Sequence, residues 1–358
     1  MSFPELYDNP LTSTITIGDA GKPLPSAAVA DLETVMVLDD LNAPSMFTLE
    51  LNNWDGADKP PTWSEDESTF FPGQKVSISL GYVGELTAVS IIEGEITSIE
   101  PIFRPTPSTM IVRGYDLRHR LMRGRKTQTF TNMKDSDIAV KILGDAGLAN
   151  QVASTSVVHP YVLQHNQTDF AFLQDRARRI GFELAVEGKK ILFRPLPINK
   201  KESMTLALGQ DIIELTPRLT TMSQVSEVNV QGWDIKKKEV IVGKAKVGKE
   251  TAVLGANGGP KATNGAFGKT AVTYIDSPVF TQAEADQMAI GRFNEMALNY
   301  ISGEGICYGR ADLKAGTVVA IEGVGKKFSG LYYITSVRHI WNKERGYQIR
   351  FSYRRNAN

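Results

Sequence analysis

Histidine side chains are the first candidates for chemistry in this chain, because imidazole binds metals and transfers protons near neutral pH. The sequence has four: His119, His159, His165 and His339. Their spacing matches no metal-ligand pattern, and none has a carboxylate at a suggestive offset. We therefore expect structural histidines, no catalytic residue and no metal or cofactor site.

The single cysteine, Cys307, excludes an internal disulfide and any metal site built from cysteine alone. It lies in the apolar, strand-like run Ile306-Cys307-Tyr308. Such a context favours a buried, unreactive thiol over a nucleophile. One cysteine also fits a reducing compartment or a protein indifferent to redox conditions.

Carboxylates and tryptophans could together act on sugars. Glu93, Glu95 and Glu100 alternate along a predicted strand, which is typical of a solvated face. They could serve a glycosidase only with an opposing carboxylate about 5 to 9 Å away. Trp54 and Trp63 lie in a long polar surface loop and make a contact surface plausible, although packing of the loop on its own barrel is the alternative. A carbohydrate-binding or carbohydrate-active β-protein is therefore one alternative function.

Basic segments offer a second alternative, a nucleic-acid-binding β-module. One is the predicted turn and exit loop Arg118–Lys126, with Arg118, Arg120, Arg123 and Arg125, and the other is Lys236–Lys249. Neither segment has interleaved aromatic residues. The whole chain carries 40 basic and 40 acidic residues, so its net charge is zero. These facts favour solvated loops or subunit contacts, without specific binding of nucleic acid.

Length and hydropathy bound the architecture. A chain of 358 residues is expected to form about two or three domains. Residues 1–10 are acidic and contain proline, unlike a secretory signal. No run approaches the length of apolar sequence that spans a membrane, so we expect no membrane span.

A short pattern occurs twice in the chain. Pro72-Gly73-Gln74-Lys75-Val76-Ser77-Ile78 is followed by Ile96-Thr97-Ser98-Ile99. Ala315-Gly316-Thr317-Val318-Val319-Ala320-Ile321 is followed by Ile334-Thr335-Ser336-Val337. Each glycine indicates a turn, and each run after it alternates like a half-buried strand. The pattern predicts one antiparallel β-unit present in two copies, the alternative being chance similarity between two barrels.

A second similarity joins Val112–Arg118 to Val230–Lys236, since both run through Gly-aromatic-Asp into a basic turn. It follows the Ile-Thr-Ser element in the first half and precedes it in the second. If both similarities are real, the second barrel is built from non-contiguous segments.

The predicted fold class is mainly β (α+β), with two similar antiparallel β-barrel domains. A small α+β module lies between them, and a helical insertion interrupts the second barrel. The predicted bounds are an N-terminal arm (1–25), first barrel (26–125), connecting module (126–200), second barrel (201–243 and 301–358), and Gly-rich loop with helix (244–300). Apolar periodicity predicts helices over about 134–146 and 168–180, and a capping box at Thr281–Glu284 begins a third.

Three segments of this sequence resemble one known family. They are Val112–Leu121, Gln164–Leu173 continuing to Leu184, and Leu313–His339. In this order they resemble the phage late control gene D protein family, the baseplate hub proteins of contractile tails and related injection systems. The resemblance spans about residues 110 to 355, and the first barrel matches it in pattern alone.

The resemblance implies a structural protein without enzymatic activity. It implies a homotrimer in which two similar barrels per subunit form a pseudo-sixfold ring around an axial channel. The implied partners are a separate trimeric spike protein, the inner tube or a tube-initiator protein, and a tape measure or cargo in the channel. The implied location is a virion tail baseplate or a contractile injection particle, assembled in the bacterial cytoplasm.

Some relatives continue into a spike domain, whereas this sequence stops at Asn358, so we expect a version whose spike is a separate protein. The predicted interface residues lie on the repeated strands, the basic exit and the tryptophan loop: Val76, Ile78, Val319, Ile321, Arg118, Arg120, Arg123, Arg125, Trp54 and Trp63.

Overall fold

The computed structural model describes residues 11–54, 62–82, 89–105, 107–235, 237–275 and 278–358. It confirms the predicted fold class, because antiparallel strands dominate and the longer helices lie in the connecting module and the insertion. No described helix is long and apolar enough to cross a membrane.

The first β-unit comes from the N-terminal third of the chain. Its strands are β1 (Leu11–Ile17), β2 (Lys22–Pro23), β3 (Leu32–Asp40), β4 (Met46–Asn52), β5 (Lys75–Tyr82), β6 (Val89–Ile102) and β7 (Thr109–Asp116). Two short helices accompany them, α1 (Ser26–Asp31) and α2 (Thr62–Glu65). The predicted irregular arm is wrong for its described part, because β1 pairs along its length with β5. Residues 1–10 lie outside the described part of the chain.

The connecting module follows a 3₁₀ turn, Leu117–Met122. Its elements are β8 (Lys126–Lys134), α3 (Asp135–Asp145), β9 (Asn150–Val152), β10 (Val158–Gln167), α4 (Asp169–Arg179), β11 (Phe182–Glu187) and β12 (Lys190–Pro195). The apolar faces of α3 and α4 meet in a core of their own, which includes Ile138, Leu143 and Leu173. Both predicted helices are present, and Gly147 and Gly181 follow them with positive φ.

The second β-unit is discontinuous in sequence. Its strands are β13 (Thr205–Ala207), β14 (Ile212–Leu219), β18 (Ile301–Tyr308), β19 (Val318–Glu322), β20 (Gly330–Asn342) and β21 (Gly346–Arg355). Between β14 and β18 lie β15 (Glu227–Asp234), β16 (Glu239–Lys246), α5 (Gly259–Phe267), β17 (Ala271–Tyr274) and α6 (Gln282–Leu298).

The inserted segment starts earlier than the sequence suggests. The predicted second barrel includes residues 201–243, but β15 within that range pairs with β16 and β17 in a separate sheet under α6. Val112–Arg118 and Val230–Lys236 are therefore not equivalent, because β7 lies in the large sheet and β15 does not. Alternating apolar residues identify a strand but not the sheet that it joins.

The two β-units share one strand order. In the large sheet the first runs β3-β4-β7-β6-β5-β1, and the second runs β14-β18-β21-β20-β19-β13. The last strands differ in direction, because β1 pairs antiparallel with β5 whereas β13 pairs parallel with β19. Their registers also correspond: Leu32↔Leu51 and Leu51↔Met110 in the first match Ile212↔Cys307 and Cys307↔Ile349 in the second. The units are joined edge to edge by β3 and β20 into one continuous sheet.

Candidate assembly interface

The Gly and Ile-Thr-Ser elements make the same hydrogen bonds in both units. Gly73 N donates to Ile96 O at 2.8 Å, and Gly316 N donates to Ile334 O at 2.9 Å. Ile96 N donates to Gln74 O, and Ile334 N to Thr317 O, both at 2.9 Å. The short sequence pattern therefore marks a complete local structure that occurs twice.

The joint between the units is an antiparallel ladder from Ser336↔Asp40 to Asn342↔Thr34. Polar contacts reinforce it on one side: Asp39 Oδ2 accepts from Ala315 N at 2.9 Å, and Asp39 Oδ1 accepts from Ser45 Oγ at 3.0 Å. Burial raises the pKa of Asp39 despite these donors. Asp39 thus fixes the turn before Gly316 against the first unit.

Arg118 ties the first unit to the connecting module and is almost fully buried. Its guanidinium donates to Asp116, to Asp40 O at 2.9 Å and to Leu184 O at 3.0 Å. An arginine with these partners is structural, because its side chain is only 1% exposed and cannot reach another molecule. The prediction that Arg118 lies at an interface is therefore wrong.

The rest of the basic exit divides into two parts. Arg120 donates to buried Glu95, which also lies 2.9 Å from His119 Nε2. Burial raises the pKa of Glu95, but its hydrogen bonds to Arg120 and His119 outweigh burial and hold that pKa below its usual value. Glu95 is thus no part of a solvated face. Arg123 and Arg125 are exposed, and Arg125 Nη1 donates to Asn166 O at 2.8 Å.

The four predicted interface residues on the repeated strands point inward. Val76, Ile78, Val319 and Ile321 are all buried in the shared apolar core. Their strands are paired on both sides, β5 by β1 and β6, and β19 by β20 and β13. Their side chains hold each subunit together and cannot contact another, so the interface prediction is wrong for them.

Trp63 of the tryptophan loop is also packed on its own unit. Trp63 is buried, packs edge-on against Phe70, and donates from Nε1 to Asp31 at 3.0 Å. Its predicted role as a contact residue is wrong. Trp54 is half-buried, and residues 55–61 between the two tryptophans lie outside the described part of the chain.

Three of the histidines are buried and hydrogen-bonded, as a structural role requires. His159 lies 3.0 Å from Asp135 and 3.2 Å from Glu284. His339 lies 2.7 Å from Tyr347 Oη, and burial lowers its pKa to about 3. His165 is exposed. Burial raises the pKa of the Cys307 thiol to about 12. Within the described residues, no group of histidine, cysteine and acidic side chains could hold a metal ion.

Sequence reasoning missed two unpaired strand edges. Among the described strands, none pairs with β14 on the side away from β18, or with Ser98–Ile102 of β6 on the side away from β7. Each edge carries one proline, Pro217 or Pro101. A strand proline is tolerated where its nitrogen faces an unpaired edge, so these two residues were the available signal.

Solved tail proteins share this fold. The chain matches the 43 kDa tail protein of prophage MuSo2 from Shewanella oneidensis with a TM-score of 0.69 and 15% identity, over 96% of this chain and 99% of that one. It matches a tail protein from Neisseria meningitidis MC58 with a TM-score of 0.69 and 13% identity, over 96% of this chain and 97% of that one. It matches an E. coli component of the type VI secretion system with a TM-score of 0.59 and 15% identity, over 92% of this chain and 74% of that one. At these identities the likeness establishes the fold alone.

In sequence, none of the curated proteins matches the chain. One family model does match it, that of the Alg8 N-terminal domain, over residues 9–343. Since this match covers most of the chain, the protein belongs to the family described as the Alg8 N-terminal domain.

Proposed function

We propose that this protein is a structural component of a contractile tail or contractile injection system, and that it serves as the baseplate hub. In this role it forms a homotrimeric, pseudo-sixfold ring that joins the hexameric inner tube to the trimeric spike and encloses an axial channel. The observation that carries the proposal is the internal duplication, in which five successive strands of the two β-units have the same order and register.

The duplication suits a symmetry adaptor. Three chains with two similar units each supply six similar units around one axis, so a threefold object presents a nearly sixfold face. Such a ring can contact a sixfold tube on one side and a threefold spike on the other. Neither contact surface needs a catalytic site, and the function is mechanical.

The fold supports the same role. The matched structures include two tail proteins and a component of a type VI secretion system that is described as similar in structure to T4 tail proteins gp27 and gp5. The resemblance to the phage late control gene D family agrees with this fold. The family description, Alg8 N-terminal domain, names a domain and states no reaction or partner.

The buried charges also favour a structural role. Glu95, Asp116 and Asp135 are each held by arginine, with Arg120, Arg118 and Arg176 as partners. Carboxylates satisfied in this way act as cross-links within the subunit. The carbohydrate alternative loses one of its two tryptophans, because Trp63 is enclosed in the first unit.

The proposed partners are a separate trimeric spike protein, the inner tube or a tube-initiator protein, and a tape measure or cargo within the channel. The proposal is tested by measuring which proteins the assembled particle contains and in what copy numbers. Particles purified through an affinity tag on this chain should contain three copies of it per ring of six tube subunits, by quantitative mass spectrometry. A chain that purifies without tube and spike proteins, or with six copies per ring, would contradict the proposal.

A further inference from the structure

A cavity of about 360 Å³ lies where the connecting module, the inserted segment and the second β-unit meet. Its walls come from α4 and β11 of the module, from α6 of the insertion, and from β20 and β21 of the second unit. Small-molecule sites in proteins have volumes of about 300–1,000 Å³ and favour the junctions between structural units. The cavity therefore has the size and the position of a ligand site.

The walls of the cavity are held in place by contacts within the chain. Gly291 of α6 lies so close to the end of α4 that an added Cβ would come 2.5 Å from Arg179 O. The Tyr333 hydroxyl donates to the Glu183 carboxylate, which joins β20 to β11. The cavity is thus formed before any ligand enters, and a preformed site spends little of its binding free energy on ordering the protein.

Most of the wall is apolar. The apolar side chains that line it come from all three parts of the chain and include Leu41, Ile180, Phe182, Leu196, Ile290 and Leu298. The first four of these are only half-buried, and Ile290 is 37% exposed. A ligand with an apolar body would remove this surface from water, which is favourable.

One cation on the wall has no partner. Arg354 is half-buried, and within the described residues its side chain makes no hydrogen bond and no ion pair. The other charged residues of the wall each have a polar partner, in the pairs Glu183–Arg194, Glu295–Arg292 and Arg178–Asn42. The ligand group that best matches a free guanidinium is a carboxylate, because its two oxygens can accept two parallel N–H bonds.

We propose that the cavity binds a small amphipathic carboxylate of the medium-chain fatty acid class, with its hydrocarbon chain along the apolar wall and its carboxylate on Arg354. A phosphate or nucleotide matches the cavity less well. Both α4 and α6 line it with their C-terminal halves, and the partial negative charge of a helix C-terminus disfavours a polyanion. The inference goes beyond the proposed hub role and does not depend on the number of copies in a ring.

Calorimetric titration of the full-length chain with sodium decanoate tests the site. We expect one decanoate to bind per chain. Decyltrimethylammonium, which has the same chain and the opposite charge, should bind at least about tenfold more weakly, because it cannot accept from Arg354. Inorganic phosphate, which has charge without an apolar body, should not bind.

Two variants locate the ligand. Arg354→Met removes the charge and should weaken decanoate binding at least about tenfold. Its matched control is Arg350→Met, an exposed position on the same strand outside the cavity, which should leave the affinity unchanged. Ile290→Trp fills the cavity and should abolish binding, whereas Val140→Trp, at a 49% exposed position of α3, should not.

Both test variants should keep the wild-type circular dichroism spectrum, because Arg354 has no side-chain partner to lose and Ile290 lies on the surface of α6. Decanoate binding that survives Ile290→Trp would mean that the ligand binds elsewhere and would overturn the proposal. Loss of binding in Ile290→Trp together with unchanged affinity in Arg354→Met would overturn the contact with Arg354. Equal affinity for the cationic analogue would overturn the carboxylate class, and absence of binding at about 1 mM decanoate would overturn the site itself.

Discussion

Thr97 and Thr335 occupy the same place in two copies of one β-bulge. Each hydroxyl donates to a main-chain carbonyl of the following strand, Arg113 O at 3.5 Å for Thr97 and Ser352 O at 3.2 Å for Thr335. The glycines that pair with these bulges, Gly73 and Gly316, both have positive φ, +90° and +76°. The repeated motif therefore preserves a backbone conformation, and its stability can be tested at the glycines.

Gly73→Ala and Gly316→Ala should each lower the free energy of unfolding by about 1 kcal/mol or more, because alanine is strained at positive φ. Gly316→Ala should be the more costly, since its Cβ would also lie 3.2 Å from Arg194 Nη2. Urea unfolding followed by circular dichroism measures both. Gly144→Ala, in helix α3 with open space around it, is the control and should stabilise by about 0.5–1 kcal/mol. Equal effects at all three positions would contradict the argument.

Arg118→Met should lower the free energy of unfolding by about 3–5 kcal/mol, because it leaves the buried Asp116 carboxylate without its cation. Arg123→Met, at an exposed position of the same segment, should change it by less than about 0.5 kcal/mol. The comparison is made by denaturant titration of both variants. If the two substitutions lower the free energy of unfolding equally, Arg118 does not stabilise the fold in the way that its contacts indicate.

The pH dependence of stability should report the buried cluster at His159. Burial would lower the pKa of His159, but the hydrogen bond to Asp135 and the Glu284 carboxylate 3.2 Å from Nδ1 outweigh burial and the nearby Arg176, and the pKa is raised. A raised histidine pKa stabilises the fold fully below about 6.5, the unfolded value, and the gain is lost as pH rises through the folded pKa. The pKa values of Asp135 and Glu284 are lowered, so their contribution is lost as pH falls below about 4.

We therefore expect the melting temperature to fall between pH 6 and pH 8.5, in part because of His159. His159→Gln should melt lower at pH 6 and show a flatter decline over this range. The exposed His165→Gln is the matched control and should keep the wild-type slope. Parallel pH profiles for wild type and His159→Gln would show that the cluster does not titrate as described.

Cys307 should not react with a thiol reagent such as DTNB in the native protein at pH 8, because burial raises its pKa and closes access to it. One thiol per chain should react after denaturation in urea. Absorbance at 412 nm follows both reactions, and reaction within minutes under native conditions would contradict the buried position.

The sequence predicted features that depend on neighbours along the chain. Helices α3, α4 and α6, the Gly turns and the repeated strands all follow from local periodicity and capping, and the structure contains them. Thr281 accepts from Glu284 N at 3.2 Å, as the capping box requires. The fold class followed from the same local patterns.

Features that depend on distant partners were missed. The sequence predicts Arg118 in a solvated loop or a subunit contact, because its partners Asp40 and Leu184 lie far away in the sequence. Alternation placed β15 in the second barrel, although its partners are β16 and β17. The edges of β6 and β14 became visible only once the register showed which strands lacked a neighbour. The folded chain decides whether an ion pair is buried and which sheet a strand joins. Periodicity along the sequence does not predict either property.

The central claim is that two similar β-units per chain build a ring from three copies. Native mass spectrometry of the purified full-length chain, supported by light scattering at tens of micromolar, tests it most directly. We predict a species of three times the 39.3 kDa subunit mass. A protein that stays monomeric over this range, or that assembles as a dimer or an open chain, would contradict the claim.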